Sequence, residues 1–322
     1  MPLTSLVDPS ARYLVTGGAG FIGSHLVRQL VAAGAQVTVL DDLSTGKRQN
    51  LDPVMRQIRF LEGSVTEMDH CREAVTEVDY VLHQAAIPSV SRSVAEPLPT
   101  HAACASGTLN LLVAARDAGV KRFVCAGSSS AYGDTPSLPK EEGMPTSPRS
   151  PYAVAKLAGE HYARAFHASY GMETVTLRYF NVFGPRQDPD SPYTGVIALF
   201  ISAALEQRSP EIHGDGRQTR DFTYVDNVVQ ANFRAAHAAP DKVAGRVFNV
   251  GCGDRISVRR LWEEIREITG CPADAIYTER RPGDVKDSQA SLVRIQEAMG
   301  YAPTVPLTEG LSRTVAWVSE PS

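Results

Sequence analysis

The chain has 322 residues, of which 43% are hydrophobic and 21% charged, and its 32 basic and 36 acidic side chains leave a formal charge of -4. That length accommodates one large domain plus a smaller one, and the apolar share is ample for a sizeable core. The acidic balance argues against nucleic acid as a partner, although a local basic pocket for phosphates is compatible with it.

The opening MPLTSLVDPSARYLV lacks a basic segment followed by an apolar one, so it does not read as a secretory signal. No apolar run is long enough to span a membrane. Cys71, Cys104, Cys125, Cys252 and Cys271 are odd in number, scattered and free of CxxC spacing. Reduced thiols in a cytoplasmic protein are therefore expected, with neither a disulfide framework nor a structural zinc. The eight histidines show no metal-ligand spacing, and no metal is expected.

In chain order, RYLVT at Arg12–Thr16 is a short apolar run ending at glycines, which predicts a buried strand. Ile22, Leu26, Leu30 and Val31 then recur at helical spacing over Phe21–Ala33, and Gly34 stops that helix. A second strand follows at Ala35–Leu40, a third near Tyr80–His83, a helix across Gly107–Ala118 and a strand at Arg122–Ala126. Strands alternating with helices imply a parallel sheet covered on both faces, an α/β fold. Thr135–Pro151 carries five prolines and reads as a long loop. Ser150 can cap the helix that follows, and Pro151 suits its first turn. After a strand at Thr174–Arg178 the pattern loosens into loops rich in Pro, Gly and Asp, the back half reading as a smaller lobe that closes over a ligand. VFNVG at Val247–Gly251 is placed to return to the main sheet. The expected division is a cofactor domain over residues 1–180, with return segments near 222–252, and a substrate lobe over 181–322.

Between the first strand and first helix lies Gly17-Gly18-Ala19-Gly20-Phe21-Ile22-Gly23. Gly17 permits a tight turn, Gly20 lets the backbone approach a pyrophosphate, and Gly23 lets the helix lie close to the sheet. The helix N-terminus offers free amides to phosphates. Asp41 closes the second strand 18 residues after Gly23, where its carboxylate can accept both ribose hydroxyls and repel a 2′-phosphate. NAD is favoured over NADP on that ground, with Lys47 and Arg48 nearby keeping the second open. The fold expected is a Rossmann-type doubly wound parallel sheet with a smaller, partly discontinuous C-terminal lobe.

Tyr152 and Lys156 are four apart near the start of one helix and share a face. A free phenol, with a pKa of roughly 10, is a poor base near neutrality. A neighbouring ammonium and an oxidised nicotinamide ring would both favour phenolate. Alone, such a pair is more often an aromatic anchor and a surface lysine; here it follows a nucleotide loop and the run Gly127-Ser128-Ser129-Ser130-Ala131-Tyr132-Gly133. Ser128 can donate to a substrate oxygen and relay its proton to Tyr152, the lesser alternative being a hydroxyl-rich turn that caps its own backbone. No His–Asp pair accompanies the serines, so hydrolase chemistry is unsupported. Asn181, Arg220 and Arg281 with Asp284 are candidates on the phosphate side, two arginines from separate loops being suited to a diphosphate.

GGAGFIG, Asp41, SSSAYG, SPYAVAK, LRYFNVFGPRQ, RDFTYVD and RPGDVKDSQA together resemble the extended short-chain dehydrogenase/reductase family, from about Tyr13 to Val318. The resemblance is closest to its nucleotide-sugar 4-epimerases, and among them to those acting on UDP-N-acetylglucosamine. It implies Tyr152 as catalytic acid and base, Lys156 as its electrostatic partner and Ser128 as the third member. It also implies tightly held NAD, recycled within each turnover while a 4-keto sugar turns over in its pocket. Ser64, Val65, Gln84 and Ala85 are further implied cofactor contacts, Ser64 standing where the family usually has Asp. On the substrate side the resemblance implies Ser89, Ser128, Ser129, Ser130, Tyr152, Asn181, Arg220, Arg281, Asp284 and Ser288. Related dehydratases carry Asp-Glu where this chain has Ser129-Ser130, and the UDP-glucuronate decarboxylases tend to have Glu at the Ser130 position, so loss of water has no evident acid here. Glucuronate 4-epimerases often have Thr at the Asn181 position. Epimerases restricted to plain hexoses tend to have Tyr at the Ser288 position, and a serine leaves room for a 2-acetamido group. Pro88 and Cys104 also depart from the family pattern. Family dimers pack two helices per subunit, here near Pro99–Ala118 and Pro151–Tyr170.

Overall fold

The computed structural model describes residues 2–188, 195–279 and 285–320. Its centre is a seven-stranded sheet in which every pairing is parallel. In chain order the first six strands are β1 (Arg12–Thr16), β2 (Gln36–Asp41), β3 (Ile58–Glu62), β4 (Tyr80–His83), β5 (Arg122–Ser128) and β6 (Thr174–Tyr179). The seventh, Arg246–Val250, returns from far along the chain to pair with β6, and β3 forms the other edge. The order reverses between β1 and β4, which opens a crevice beyond their carboxyl ends.

Alternation along β1 shows why the sheet is covered twice. Tyr13 and Val15 enter the apolar cluster on one face with Leu26, Val27 and Phe233, while Leu14 enters the cluster on the other with Leu111, Phe123 and Phe166. A third cluster around Phe200, Phe222, Trp262 and Ile265 forms the core of the back half. There the chain makes three two-stranded pairings, two of them parallel, and the one joining Val182–Phe183 to Thr223–Tyr224 lies nearest the main sheet in sequence.

Two helices matter most for the site. Pro151–Tyr170 is capped as its sequence implies: Ser150 Oγ accepts from Ala153 N at 3.2 Å, Pro151 occupies the first turn, and Gly171 ends it at φ 67°. The helix expected over Gly107–Ala118 runs Gly107–Asp117 and is continuous with Pro97–His101 through a π-helical turn at Ala102–Ser106. No helix among the described residues is long and apolar enough to cross a membrane.

Candidate active site

Gly17 takes φ +65° immediately after β1, where its N–H donates to Leu40 O at 2.8 Å and so ties the loop to β2. A Cβ on Gly17 would stand 2.8 Å from the Ala85 backbone, and one on Gly23 would stand 2.1 Å from Gly17 O. Only glycine fits either place without moving backbone. The helix beginning at Phe21 has no side chain capping its N-terminus, so its first amides are left facing the crevice. All twelve residues expected at the cofactor, from Gly17 to Lys156, line this single cleft. The glycines that a Cβ would block and the uncapped amides form a cradle suited to a dinucleotide pyrophosphate.

Asp41 is more committed than its sequence position suggests. Its Oδ2 accepts from Ala19 N and its Oδ1 from Leu43 N, both at 2.8 Å, so the carboxylate braces the glycine loop while lining the cleft. Burial pushes its pKa up against the pull of those N–H donors. Lys47 pairs with Asp188 at 3.0 Å, and Arg48 lies over the Phe60 ring and beside Glu62; neither lines the cleft. The two cations that kept a 2′-phosphate open are thus engaged elsewhere. Ser64 lines the cleft with its hydroxyl accepting from Thr66 N at 3.4 Å.

Beneath the cleft runs a directional chain of hydrogen bonds. Thr108 Oγ1 donates to Cys104 O at 2.7 Å, so at 2.9 Å it accepts from His83 Nε2–H. His83 Nδ1 is then bare and accepts from Thr16 Oγ1 at 2.7 Å, and that hydroxyl accepts from Ala85 N at 3.3 Å. Burial, with Lys156 adding to it, holds His83 down to about 3, so it stays neutral. The chain joins β1, β4, the Ala85 loop and the helix start at Gly107, and its far end packs under the long helix, where a Cβ on Gly159 would lie 3.3 Å from Cys104 O.

Tyr152 and Lys156 project from the first turns of the long helix into the cleft. Lys156 Nζ donates to Ala126 O on β5 at 3.0 Å. Burial raises the Tyr152 pKa, while Lys156 and the Ser128 hydroxyl pull it down. Burial opposes the Lys156 charge, but the interaction with Tyr152 and neighbouring thiols outweighs it and the pKa rises. Ser128 stands at the end of β5, 2.7 Å from Ser130 Oγ, and accepts from Ser130 N at 3.2 Å, so it caps its own turn and faces Tyr152 at once. Ser129 and Ser130 follow in a single helical turn, half-buried.

The other substrate-side candidates are held by their own neighbours. Ser89, at φ 116°, caps a short helix by accepting from Arg92 N. Asn181 Nδ2 donates to Asp221 O at 3.0 Å, which sets the residue against the RDF segment. Arg220 donates to Thr219 O and Lys286 O. Ser288 N donates to Thr219 O at 3.1 Å, leaving its side chain half-buried. Arg281 and Asp284 lie outside the described residues. Among the described residues no cluster of His, Cys, Asp or Glu is arranged to hold a metal ion.

Several cleft residues escaped the sequence reading. Gly127 and Tyr179 sit at the carboxyl ends of β5 and β6, the edge where open α/β sheets bind ligands, and that rule would have flagged them. Asp42, Ser44 and Thr45 also line the cleft. Asp221 carried no sequence signal of its own. It is fully buried, with Oδ1 accepting from Cys252 N at 2.8 Å and Oδ2 from Gly253 N and Ala290 N at 3.0 Å, and it ties two distant segments to its own loop.

The profile of the NAD dependent epimerase/dehydratase family matches residues 13–251. A UDP-glucose 4-epimerase of Mycolicibacterium smegmatis is 40% identical over 308 residues, covering 94% of this chain and 97% of the relative. The crystal structure of a Thermotoga maritima UDP-glucose 4-epimerase with UDP-glucose superposes with a TM-score of 0.91 at 38% identity, covering 95% of this chain and 98% of that one. A UDP-N-acetylglucosamine 4-epimerase from Methanobrevibacter ruminantium, solved with UDP-N-acetylmuramic acid, gives 0.91 at 39% identity, covering 96% and 98%.

Proposed function

The chain belongs to the NAD-dependent epimerase/dehydratase family, and we propose that within it the protein inverts C4 of UDP-N-acetylglucosamine and UDP-N-acetylgalactosamine, accepting UDP-glucose and UDP-galactose as well. Its cofactor is NAD, which when bound supplies the reversible redox capacity at the sugar carbon and a cationic ring beside Tyr152. In this reading Tyr152 takes the proton of the C4 hydroxyl and later returns one, acting as general base and then general acid. Ser128 donates to the same sugar oxygen, and Lys156 keeps the phenol toward its ionised form from one helical turn away. Asn181, Arg220, Arg281 and Asp284 would hold the UDP portion, leaving the keto sugar free to rotate and present its other face. Tight retention of NAD belongs to the same proposal, as does the division into a cofactor unit (1–180 with 222–252) and a substrate lobe.

One observation carries the reading: a phenol, an ammonium and a serine hydroxyl converge beside the dinucleotide cradle, with hydroxyls rather than carboxyls at positions 129 and 130. Epimerisation needs no further acid, whereas elimination of water does. Half-buried Ser288 supports the acetylated substrate on the ground of side-chain size, a serine standing where epimerases restricted to plain hexoses tend to have Tyr. A homodimer through the helices near 99–118 and 151–170 is part of the proposal. It is supported by exposed Val154 and Tyr162 on the second of these helices and by Leu98, 80% exposed, just before the first.

The test is incubation of the purified protein with UDP-N-acetylglucosamine and no added NAD. Appearance of the C4 epimer without net NADH is expected. Release of carbon dioxide or net consumption of cofactor would instead assign the protein to hexuronate decarboxylation or to another oxidoreductase of the family.

A further inference from the structure

A second cavity, of about 900 Å³, shares no wall residue with the cofactor cleft. It opens beside the middle of the Pro151–Tyr170 helix, against β6 and the returning strand. His161 on its wall lies nine positions after Tyr152, roughly 13 Å along the helix at 1.5 Å per residue. Five basic side chains line it, Arg164, Arg178, Lys242, Arg246 and Arg294, against three acidic ones, Glu142, Glu160 and Glu297. The local balance is therefore +2 (five minus three) in a chain whose formal charge is -4.

Partnering leaves the local balance at +2 but gathers it on the cations of the rim. Glu160 is consumed by Arg178, taking Nε at 2.8 Å and Nη2 at 2.6 Å, with both side chains almost fully buried. Glu142 is equally buried, accepts from Asn249 N at 2.8 Å and faces Arg294 at 3.7 Å. On the rim, Arg164 and Lys242 are exposed and have no carboxylate partner among the described residues. Arg246 donates to the Asp241 carbonyl, which leaves its charge uncompensated. On the floor, Arg178 Nη1 is buried and has no hydrogen-bond acceptor. Only Glu297 opposes an anion from the rim.

We propose that this cavity binds a small, multiply charged anion of the phosphate-ester class, gripped by Arg164, Lys242 and Arg246. A concave site of this volume suits a small molecule, and guanidinium groups meet phosphate oxygens in pairs. An extended polyanion is disfavoured, because the chain as a whole is acidic and the basic groups converge on a hollow rather than forming a stripe.

The experiment is calorimetric titration of the NAD-loaded enzyme with inorganic pyrophosphate at low ionic strength, with and without saturating UDP. One-site binding that persists in the presence of UDP is expected. It should weaken at least tenfold in Arg164→Glu/Arg246→Glu, and by a smaller factor in Arg164→Gln/Arg246→Gln, which removes charge without reversing it. Both residues are exposed and distant from Tyr152, so each variant should keep the parent's circular dichroism and turnover. Absence of binding heat, loss of binding on adding UDP, or equal affinity in the parent and both variants would each overturn the proposal.

Discussion

Lys156 reaches from the long helix to β5, its Nζ hydrogen-bonded to Ala126 O at 3.0 Å, two residues before Ser128. The bond fixes the ammonium between the strand and the Tyr152 phenol, so its charge acts on the phenol from a set position. In the unloaded protein burial keeps that phenol above its ordinary pKa. Lys156→Met removes the main opposing influence, and the limb of the kcat/KM profile that reports phenol ionisation should move to higher pH. Tyr152→Phe should lower kcat by about 10²–10⁴ while NAD stays bound. Unchanged turnover in the Phe variant would remove Tyr152 from the chemistry.

Thr108→Val tests the chain under the cleft. It leaves His83 Nε2–H without an acceptor in a fully buried setting. Stability should fall by about 1–3 kcal/mol, measured by urea unfolding. Because His83 is held down to about 3, this loss should be the same at pH 6 and pH 8. A loss confined to the lower pH would mean that the imidazole is charged in the parent.

Asp221 gives the protein a stability gradient on the acid side. Its carboxyl is pushed up to about 6 from an ordinary 3.8, because burial outweighs three N–H donors. For an acid raised in the folded state, the favourable contribution is present below the unfolded pKa and is lost as pH rises through 6. The folded chain binds the proton that the unfolded chain has released, so stability declines across roughly pH 4 to 6, by about 3 kcal/mol at most from this group. Asp221→Asn should be less stable than the parent at every pH, since an amide N–H must face one of the three donors. It should also lack this part of the pH dependence, and equal slopes in the two proteins would refute the assignment.

Ser288→Tyr addresses substrate choice. The Ser288 amide is bonded to Thr219 O, so a larger side chain cannot escape by a backbone shift without breaking that link. Activity on N-acetylated sugars should drop far more than activity on plain hexoses. Equal loss on both would mean that position 288 does not sense the C2 substituent.

What could be read before folding was what neighbours in sequence determine. Gly17, Gly20 and Gly23 lie within one turn of chain, and Tyr152 and Lys156 lie within one turn of helix, so spacing alone brings each set together. The return of Val247–Gly251 to the sheet was legible from its apolar run, and the strand is Arg246–Val250. Thr16, His83 and Thr108 meet only when β1 pairs with β4 in the register that sets Thr16 opposite His83. Asp221 gains its partners only when residues 252, 253 and 290 converge on it. Neither arrangement leaves a periodic or local mark. Asp41 was found by position, yet its bracing of Ala19 and Leu43 appears only in three dimensions.

The strand Arg246–Val250 closes the open side of β6, and this has a practical consequence for splitting the gene. A fragment ending at Tyr179 would display the bare amides and carbonyls of β6, a template for sticking to other copies. It would also lack Phe248 and Val250, which fill the apolar layer there. Such a half should precipitate alone and dissolve when a synthetic peptide carrying that segment is supplied in trans.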